Sequence, residues 1–131
     1  ARLESAVKQY GVNNLVSENT LEGVEQKFFT RIVDEVRVKG KSESLKCYEV
    51  FCLSGEEEDK LKHLKENFET GFKHYQLGEF LEAKSLFTKS EEYETPSNEN
   101  TTASKLYMDR CDYLMTNKPD NWTGIWSLSE K

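Results

Sequence analysis

Two stretches of alternating apolar and polar residues, 32–38 and 45–51, constrain the fold of this 131-residue chain more than any other feature. Alternation with a period of two places every second side chain on the same face of an extended strand. A short polar segment that contains Gly40 separates the two stretches, which predicts a β-hairpin. The edges of so small a sheet need partners, so we expect the sheet to be incomplete within this chain.

The residues before the hairpin predict two helices and a strand. Residues 2–8 have helical spacing and end at Gly11, and residues 13–17 favour a short strand. A capping-box pattern that begins at Asn19 predicts a short helix through Phe28. The order helix, strand, helix, strand, strand is typical of an α+β fold.

The remainder of the chain predicts helices only. A capping-box pattern at 54–57 precedes a long helix that ends at Gly78, and a second helical face follows after a short turn. These two helices predict an αα-hairpin, and a third helix is expected at 101–116. Both tryptophans, Trp122 and Trp126, follow it, and we expect them to pack back on the helices.

Charge is distributed unevenly along the chain. Residues 1–55 contain eight basic and eight acidic side chains, so the whole net charge of −6 belongs to the second part. We therefore predict two units, 1–53 and 54–131. An acidic unit repels phosphate, which argues against nucleic acid or an anionic membrane as a partner.

The cysteines and the termini indicate the compartment. Cys47, Cys52 and Cys111 are odd in number and lack CxxC spacing, so neither a disulfide framework nor a zinc site is indicated. We therefore expect a reducing, cytoplasmic setting. No apolar run approaches the ~20 residues that a bilayer span needs. The sequence begins at Ala1 without a methionine, so we expect a fragment of a longer chain, whose attachment to a membrane elsewhere stays open.

Residues that could carry chemistry are few. His63 and His74 are about three helical turns apart, too far to share a metal ion, and are interpreted as surface residues. Asp34 and Glu35 are adjacent on a strand and point to opposite faces, so they cannot bind one metal as a pair. The chain contains neither a GxSxG turn nor a glycine-rich phosphate loop.

Arg2 and Lys39 are the candidate functional residues. An arginine and a lysine that project into one cleft can neutralise a triphosphate, whose charge is spread over nonbridging oxygens. The alternative is that Lys39 belongs to a solvated edge and turn. The other basic side chains of the hairpin are interpreted as ordinary solvated charges: Arg31, Arg37, Lys41 and Lys46.

Five segments, in order, resemble the C-terminal portion of a class III adenylate or guanylate cyclase catalytic domain. They are Ala-Arg-Leu-Glu-Ser at 1–5, Tyr-Gly-Val at 10–12, Leu-Val-Ser-Glu-Asn-Thr at 15–20, Val-Asp-Glu-Val-Arg-Val-Lys-Gly-Lys at 33–41 and Tyr-Glu-Val at 48–50. The resemblance implies a ferredoxin-like α+β domain that pairs head to tail as a homodimer, with the active site between the protomers.

The resemblance also implies an activity, the conversion of ATP or GTP to the cyclic 3′,5′-monophosphate with release of pyrophosphate. Arg2 falls on the family's transition-state-stabilising arginine, and Lys39 falls on the phosphate-contacting lysine of its Val-Lys-Gly-Lys stretch. The family's Mg²⁺ or Mn²⁺ ions are held by aspartates that would precede Ala1. We therefore expect this fragment to be inactive by itself.

The helical part resembles one tetratricopeptide repeat. The matching residues are Gly71, Tyr75, Gly78, Ala83 and Phe87, with Pro96 further on. One repeat cannot bury its faces alone, so the third helix is expected to cap it, and the tail could bind a protein partner. The alternative to a cyclase is a non-catalytic interaction or dimerisation module, derived from a degenerate cyclase, that acts through this helical tail.

Overall fold

The computed structural model describes residues 3–37 and 43–126. In these two stretches the chain forms a three-stranded antiparallel sheet and five α-helices, which confirms the predicted α+β class. The elements are α1 (Leu3–Tyr10), β1 (Val16–Ser17), α2 (Glu18–Leu21), a 3-10 turn (Glu25–Lys27), β2 (Phe28–Arg37), β3 (Ser44–Leu53), α3 (Asp59–Gln76), α4 (Phe80–Glu91) and α5 (Ala103–Thr116).

The predicted hairpin is confirmed as β2 and β3. The strand order is β1-β3-β2, and two irregularities interrupt the register between β2 and β3, one of them at Val33. The strand expected at 13–17 is reduced to β1. Asn14 extends this edge with its side chain instead, because its amide group bonds both the N–H and the C=O of Val50 at 2.8 Å.

The prediction of a helix through Phe28 is wrong. Instead, α2 is a single turn capped by Ser17, whose hydroxyl accepts the N–H of Thr20 at 3.3 Å. Gly23 then adopts a φ of +86°, in the left-handed region that interrupts a helix, and Phe28 begins β2.

The long helix α3 begins at Asp59, later than the capping-box pattern at 54–57 predicts. The hydroxyl of Ser54 donates to the C=O of Gln26 at 2.7 Å, so it does not cap the helix. Glu58 is the residue before the first helical turn, and its side chain makes no capping hydrogen bond. The glutamates before α3 still lie near its N-terminus, where the helix dipole favours negative charge.

The predicted αα-hairpin and third helix are confirmed as α3, α4 and α5. A Cβ atom at Gly71 would lie 3.2 Å from Leu86 Cβ and 3.3 Å from the ring of Phe87, so α3 and α4 cross closely at this glycine. Trp122 packs back as expected, because its indole N–H donates to the C=O of Tyr75 at 3.0 Å and its ring lies 5.4 Å from that of Phe80.

One hydrophobic core joins the two predicted units. It combines buried side chains of both: Tyr10, Val12, Leu15, Val33 and Cys47 from the first, and Phe68, Phe72, Tyr75, Phe80, Ala83, Phe87, Ala103, Tyr107, Cys111 and Leu114 from the second. The Tyr107 hydroxyl also donates to the C=O of Val33 at 2.7 Å. The boundary between 1–53 and 54–131 stays a prediction, and the helical part packs directly on the sheet.

The structure also describes the cysteines and the apolar character of the helices. Cys47, Cys52 and Cys111 all carry free thiols, and burial raises the pKa of Cys47 to about 11 and that of Cys111 to about 12. In the stretches that the structure describes, no helix combines the length and the apolar character that crossing a bilayer requires.

Candidate functional site

The two residues predicted to bind phosphate, Arg2 and Lys39, lie outside the described residues. Lys41 lies outside them as well. In the sequence Arg2 directly precedes α1, and Lys39 is the second residue after the end of β2. The described structure therefore shows how these two elements are held relative to each other.

A buried polar cluster connects α1 to β2. It consists of Tyr10, Asp34 and Arg110, and it is called the Asp34 cluster below. The Tyr10 hydroxyl donates to Asp34 Oδ2, and Arg110 Nη1 lies 3.4 Å from the same oxygen. The N–H of Glu35 donates to the other carboxylate oxygen at 2.7 Å. Asp34 is only 2% exposed, so these donors replace its hydration.

Aromatic rings surround the guanidinium of Arg110. It lies 5.0 Å from the ring centroid of Tyr107, 5.7 Å from that of Tyr10 and 4.7 Å from that of Trp126. Arg110 belongs to α5, so these cation–π contacts bring the C-terminal helix, the end of α1 and the segment after α5 together at one charge.

Burial sets the protonation of this cluster. Burial raises the pKa of Tyr10 well above its ordinary value, and the negative charge of Asp34 raises it further. Burial alone would lower the pKa of Arg110, but the side chains around it, Asp34 among them, outweigh that effect and raise it. Tyr10 therefore stays neutral beside the ion pair of Arg110 and Asp34. The Tyr75 hydroxyl, which is also buried, has no hydrogen-bond partner in the described part of the chain.

A second buried cluster contradicts the interpretation of Arg31 as a solvated charge. Arg31 is 1% exposed and pairs with two carboxylates, Glu49 Oε1 at 2.9 Å and Glu94 Oε2 at 2.8 Å. Its guanidinium also lies 4.6 Å from the ring centroid of Phe68. Burial disfavours the charged form, but the two carboxylates reverse this effect and raise the pKa of Arg31. These three charged residues are called the Arg31 cluster.

The Arg31 cluster crosses the predicted boundary between the units. Glu49 lies on β3, whereas Glu94 follows α4 and also accepts the N–H and the hydroxyl of Ser104 at 3.0 and 2.7 Å. Sequence reasoning missed this cluster because Glu49 and Glu94 are 18 and 63 residues from Arg31. Of the other basic residues of the hairpin, Arg37 and Lys46 have exposed side chains.

The prediction that Asp34 and Glu35 face opposite sides is confirmed. Asp34 points into the core, whereas the Glu35 carboxylate accepts the hydroxyl of Ser44 and the amide N–H of Gln76, the latter at 3.0 Å. The hydrogen bond from Ser44, followed by that from Gln76, lowers the pKa of Glu35 below its ordinary value.

Replacing Ser44 with alanine is expected to raise the pKa of Glu35 towards 4.5, because the largest cause of its depression is removed. A lowered native pKa gives a stabilisation that is present above the unfolded pKa and is lost as the pH falls through the native pKa. A carboxyl NMR titration measures the native pKa of Glu35 in the wild type and in Ser44→Ala. Ser17→Ala, which removes a hydroxyl that is bonded to Thr20 and not to Glu35, is the control. An unmoved Glu35 midpoint in Ser44→Ala would contradict the assignment.

A groove lies where α3 covers the outer edge of β2. Glu69 accepts the N–H of Ile32 at 2.8 Å, and Lys65 donates to the C=O of Thr30 at 2.5 Å, so two side chains satisfy backbone groups of the edge strand. The groove has a volume of about 280 Å³ and is lined by Phe29, Lys62, Lys65, Glu66, Glu69, Thr70 and Lys73. Two glutamates offset most of the charge of its three lysines.

The two histidines of α3 contact different neighbours. His63 is exposed and stacks on the ring of Tyr93, with centroids 5.2 Å apart, and His74 Nδ1 lies 2.6 Å from Glu79 Oε1. Within the ranges 3–37 and 43–126, no group of three or more His, Cys, Asp or Glu side chains is arranged to hold a metal ion.

Comparison with known proteins relates the chain to an adenylate cyclase. No protein-family model matches it, and no solved structure matches it significantly. It is 34% identical over 118 residues to the terminal-differentiation specific adenylate cyclase of Dictyostelium discoideum. The match covers 85% of this chain and spans 5% of the length of that relative. Because residues 1–53 make up less than half of the chain, the similarity extends into the helical part.

Proposed function

We propose that this chain is the C-terminal end of a nucleotide cyclase catalytic domain together with its helical tail. The full-length protein would convert ATP, or GTP, to the cyclic 3′,5′-monophosphate and pyrophosphate for intracellular signalling. The observation that carries the proposal is the similarity of 85% of the chain to a region of an adenylate cyclase. The five ordered segments in 1–51 support it, since they resemble the catalytic domain itself.

Arg2 and Lys39 have distinct roles in this proposal. The guanidinium of Arg2 would stabilise the charge that develops on the phosphate undergoing attack, and the ammonium of Lys39 would hold the terminal phosphates. A common site for the two residues is supported by the buried Asp34 cluster, which joins α1 and β2, the elements next to them. Two charges carried by elements with a fixed relative position can act on one substrate.

The Mg²⁺ or Mn²⁺ ions that the family uses do not fit the described residues. Asp34, the buried carboxylate of β2, is already bound by Tyr10, Arg110 and the N–H of Glu35, so it is a structural residue and not a metal ligand. As the resemblance implies, the ligands are proposed to lie elsewhere in the full-length protein. A second protomer is proposed to complete the active site, as the resemblance implies.

The alternative, a non-catalytic interaction module acting through a tetratricopeptide-like tail, is favoured by one observation. Leu77 and Leu81, at the turn between α3 and α4, are 73% and 67% exposed. Exposed leucines on either side of one turn offer apolar surface to which another protein could bind. This function needs no nucleotide, so the assay of the full-length protein separates it from the cyclase.

The test is an assay of the full-length protein with ATP or GTP and either metal ion, in which the cyclic nucleotide is quantified by chromatography. We expect product, and we expect Arg2→Ala to lower kcat about a hundredfold, as for the loss of one transition-state donor. Lys8→Ala, which removes an exposed cation from the same helix, is the matched control. Wild-type protein without product would refute the cyclase, and an active Arg2→Ala variant would refute the role of Arg2.

A further inference from the structure

Arg110 is the residue at which the helical tail contacts two earlier elements of the chain, α1 and β2. It lies on α5, it is 8% exposed, and it contacts Asp34 of β2 at 3.4 Å and the ring of Tyr10 of α1 at 5.7 Å. Trp126 lies over the same guanidinium at 4.7 Å. One side chain of the tail thus contacts both α1 and β2.

The contact between Tyr10 and Asp34 depends on this cation. Tyr10 and Arg110 bond the same carboxylate oxygen, Asp34 Oδ2, in a site with almost no access to water. A buried carboxylate needs a partner of opposite charge, because burial removes the hydration that stabilises its ionised form. Without Arg110, Asp34 would lose its partner of opposite charge and would move towards water, which would alter its bond with Tyr10.

The other contacts between the tail and the first unit have different consequences. The Arg31 cluster ties β2 and β3 to the residues after α4, but it includes no residue of α1. The backbone of Thr101 and Thr102 packs against Gly11. This contact fixes the turn after α1, but it involves no residue of β2. Among the polar contacts described above, the Asp34 cluster is the one that joins α1, β2 and α5.

We propose that Arg110 is a positioning residue through which α5 holds α1 against β2, so that turnover at the nucleotide site depends on the docked tail. This inference rests on the proposed function, since its kinetic part requires cyclase activity. The Asp34 cluster acts through the position of α1 and touches neither substrate nor metal. Loss of Arg110 should then impair the transition state more than the binding of the nucleotide.

The kinetic test compares Arg110→Gln with Lys84→Gln in the full-length protein. Lys84 pairs with Asp112 at 2.7 Å on the exposed face between α4 and α5, so its variant also removes a cation from an ion pair of the tail. We expect Arg110→Gln to lower kcat about tenfold with KM changed less than twofold, and Lys84→Gln to match the wild type. Arg110→Lys, which keeps the charge, should recover most of the loss. Unchanged kcat in folded Arg110→Gln would overturn the proposal.

Hydrogen exchange tests the positioning role of Arg110 separately from the proposed cyclase activity. Amide hydrogen exchange of the α1 peptide is measured in the same full-length variants, and we expect it to be about tenfold faster in Arg110→Gln while α4 stays unchanged. Tyr10→Phe removes only the hydroxyl bound to Asp34, so it should accelerate α1 in the same way even if Arg110→Gln does not fold. Unaltered exchange of α1 in both variants would overturn the positioning role, whereas absence of turnover in the wild type would refute the cyclase itself.

Discussion

Arg31→Met is expected to lower the free energy of unfolding by about 3–5 kcal/mol, as is typical when one partner of a buried ion pair is removed. Methionine has a similar volume, but it leaves the carboxylates of Glu49 and Glu94 without their cation inside the protein. A domain of this size has a total stability of about 5–15 kcal/mol, so much of it would be lost. Urea denaturation followed by circular dichroism measures the change.

The control for this variant is Lys46→Met on the neighbouring strand. Lys46 is exposed, so its replacement should change stability by no more than about 0.5 kcal/mol. Adding Glu49→Gln and Glu94→Gln to Arg31→Met should recover part of the loss, because neutral amides cost less to bury than unpaired carboxylates. Equal stability of Arg31→Met and Lys46→Met would contradict the role assigned to the Arg31 cluster.

Gly11→Ala is the second large effect that we expect. Gly11 has a φ of +70°, and a Cβ atom there would overlap the C=O of Thr101 and lie 2.9 Å from Thr102 Cα. The left-handed backbone costs about 1–2 kcal/mol for a residue with a Cβ atom. The displacement of the backbone before α5 adds about 1–3 kcal/mol, which is typical of overpacking. Thermal unfolding measures the sum.

Gly23→Ala separates these two contributions. Gly23 has a φ of +86°, but a Cβ atom there would have no neighbour within 4 Å. Its alanine variant should therefore show only the backbone cost of about 1–2 kcal/mol. If both variants lost the same stability, the close packing of the turn after α1 against the start of α5 would not contribute.

The elements that could be predicted from sequence are those with a local signal. The alternation in 32–38 and 45–51 predicts the hairpin, and the helical spacing that ends at Gly78 predicts α3, because both periodicities are properties of neighbouring residues. The helix starts were less accurate. The pattern at 54–57 resembles a cap, yet the Ser54 hydroxyl donates to the C=O of Gln26, in the 3-10 turn before β2, instead.

The charged clusters could not be predicted because their members are distant in sequence. Arg31 alternates with Val33, which is fully buried, and this shared face was the available signal that Arg31 points inward. The irregularity at Val33 hides the corresponding signal for Asp34, since it allows two consecutive residues to be buried. Nothing in the spacing of α5 distinguishes Arg110 from an exposed cation, because its partners lie 76 and 100 residues earlier.

The cover that α3 provides over β2 bears on how copies of this chain meet one another. An edge strand with free N–H and C=O groups is a template on which a second molecule can add a strand, and that is how many β-proteins aggregate. Lys65 and Glu69 already occupy the outward groups of Thr30 and Ile32. We therefore expect the helical part to block the addition of a strand at this edge, and a chain cut after residue 53 to expose these backbone groups of β2.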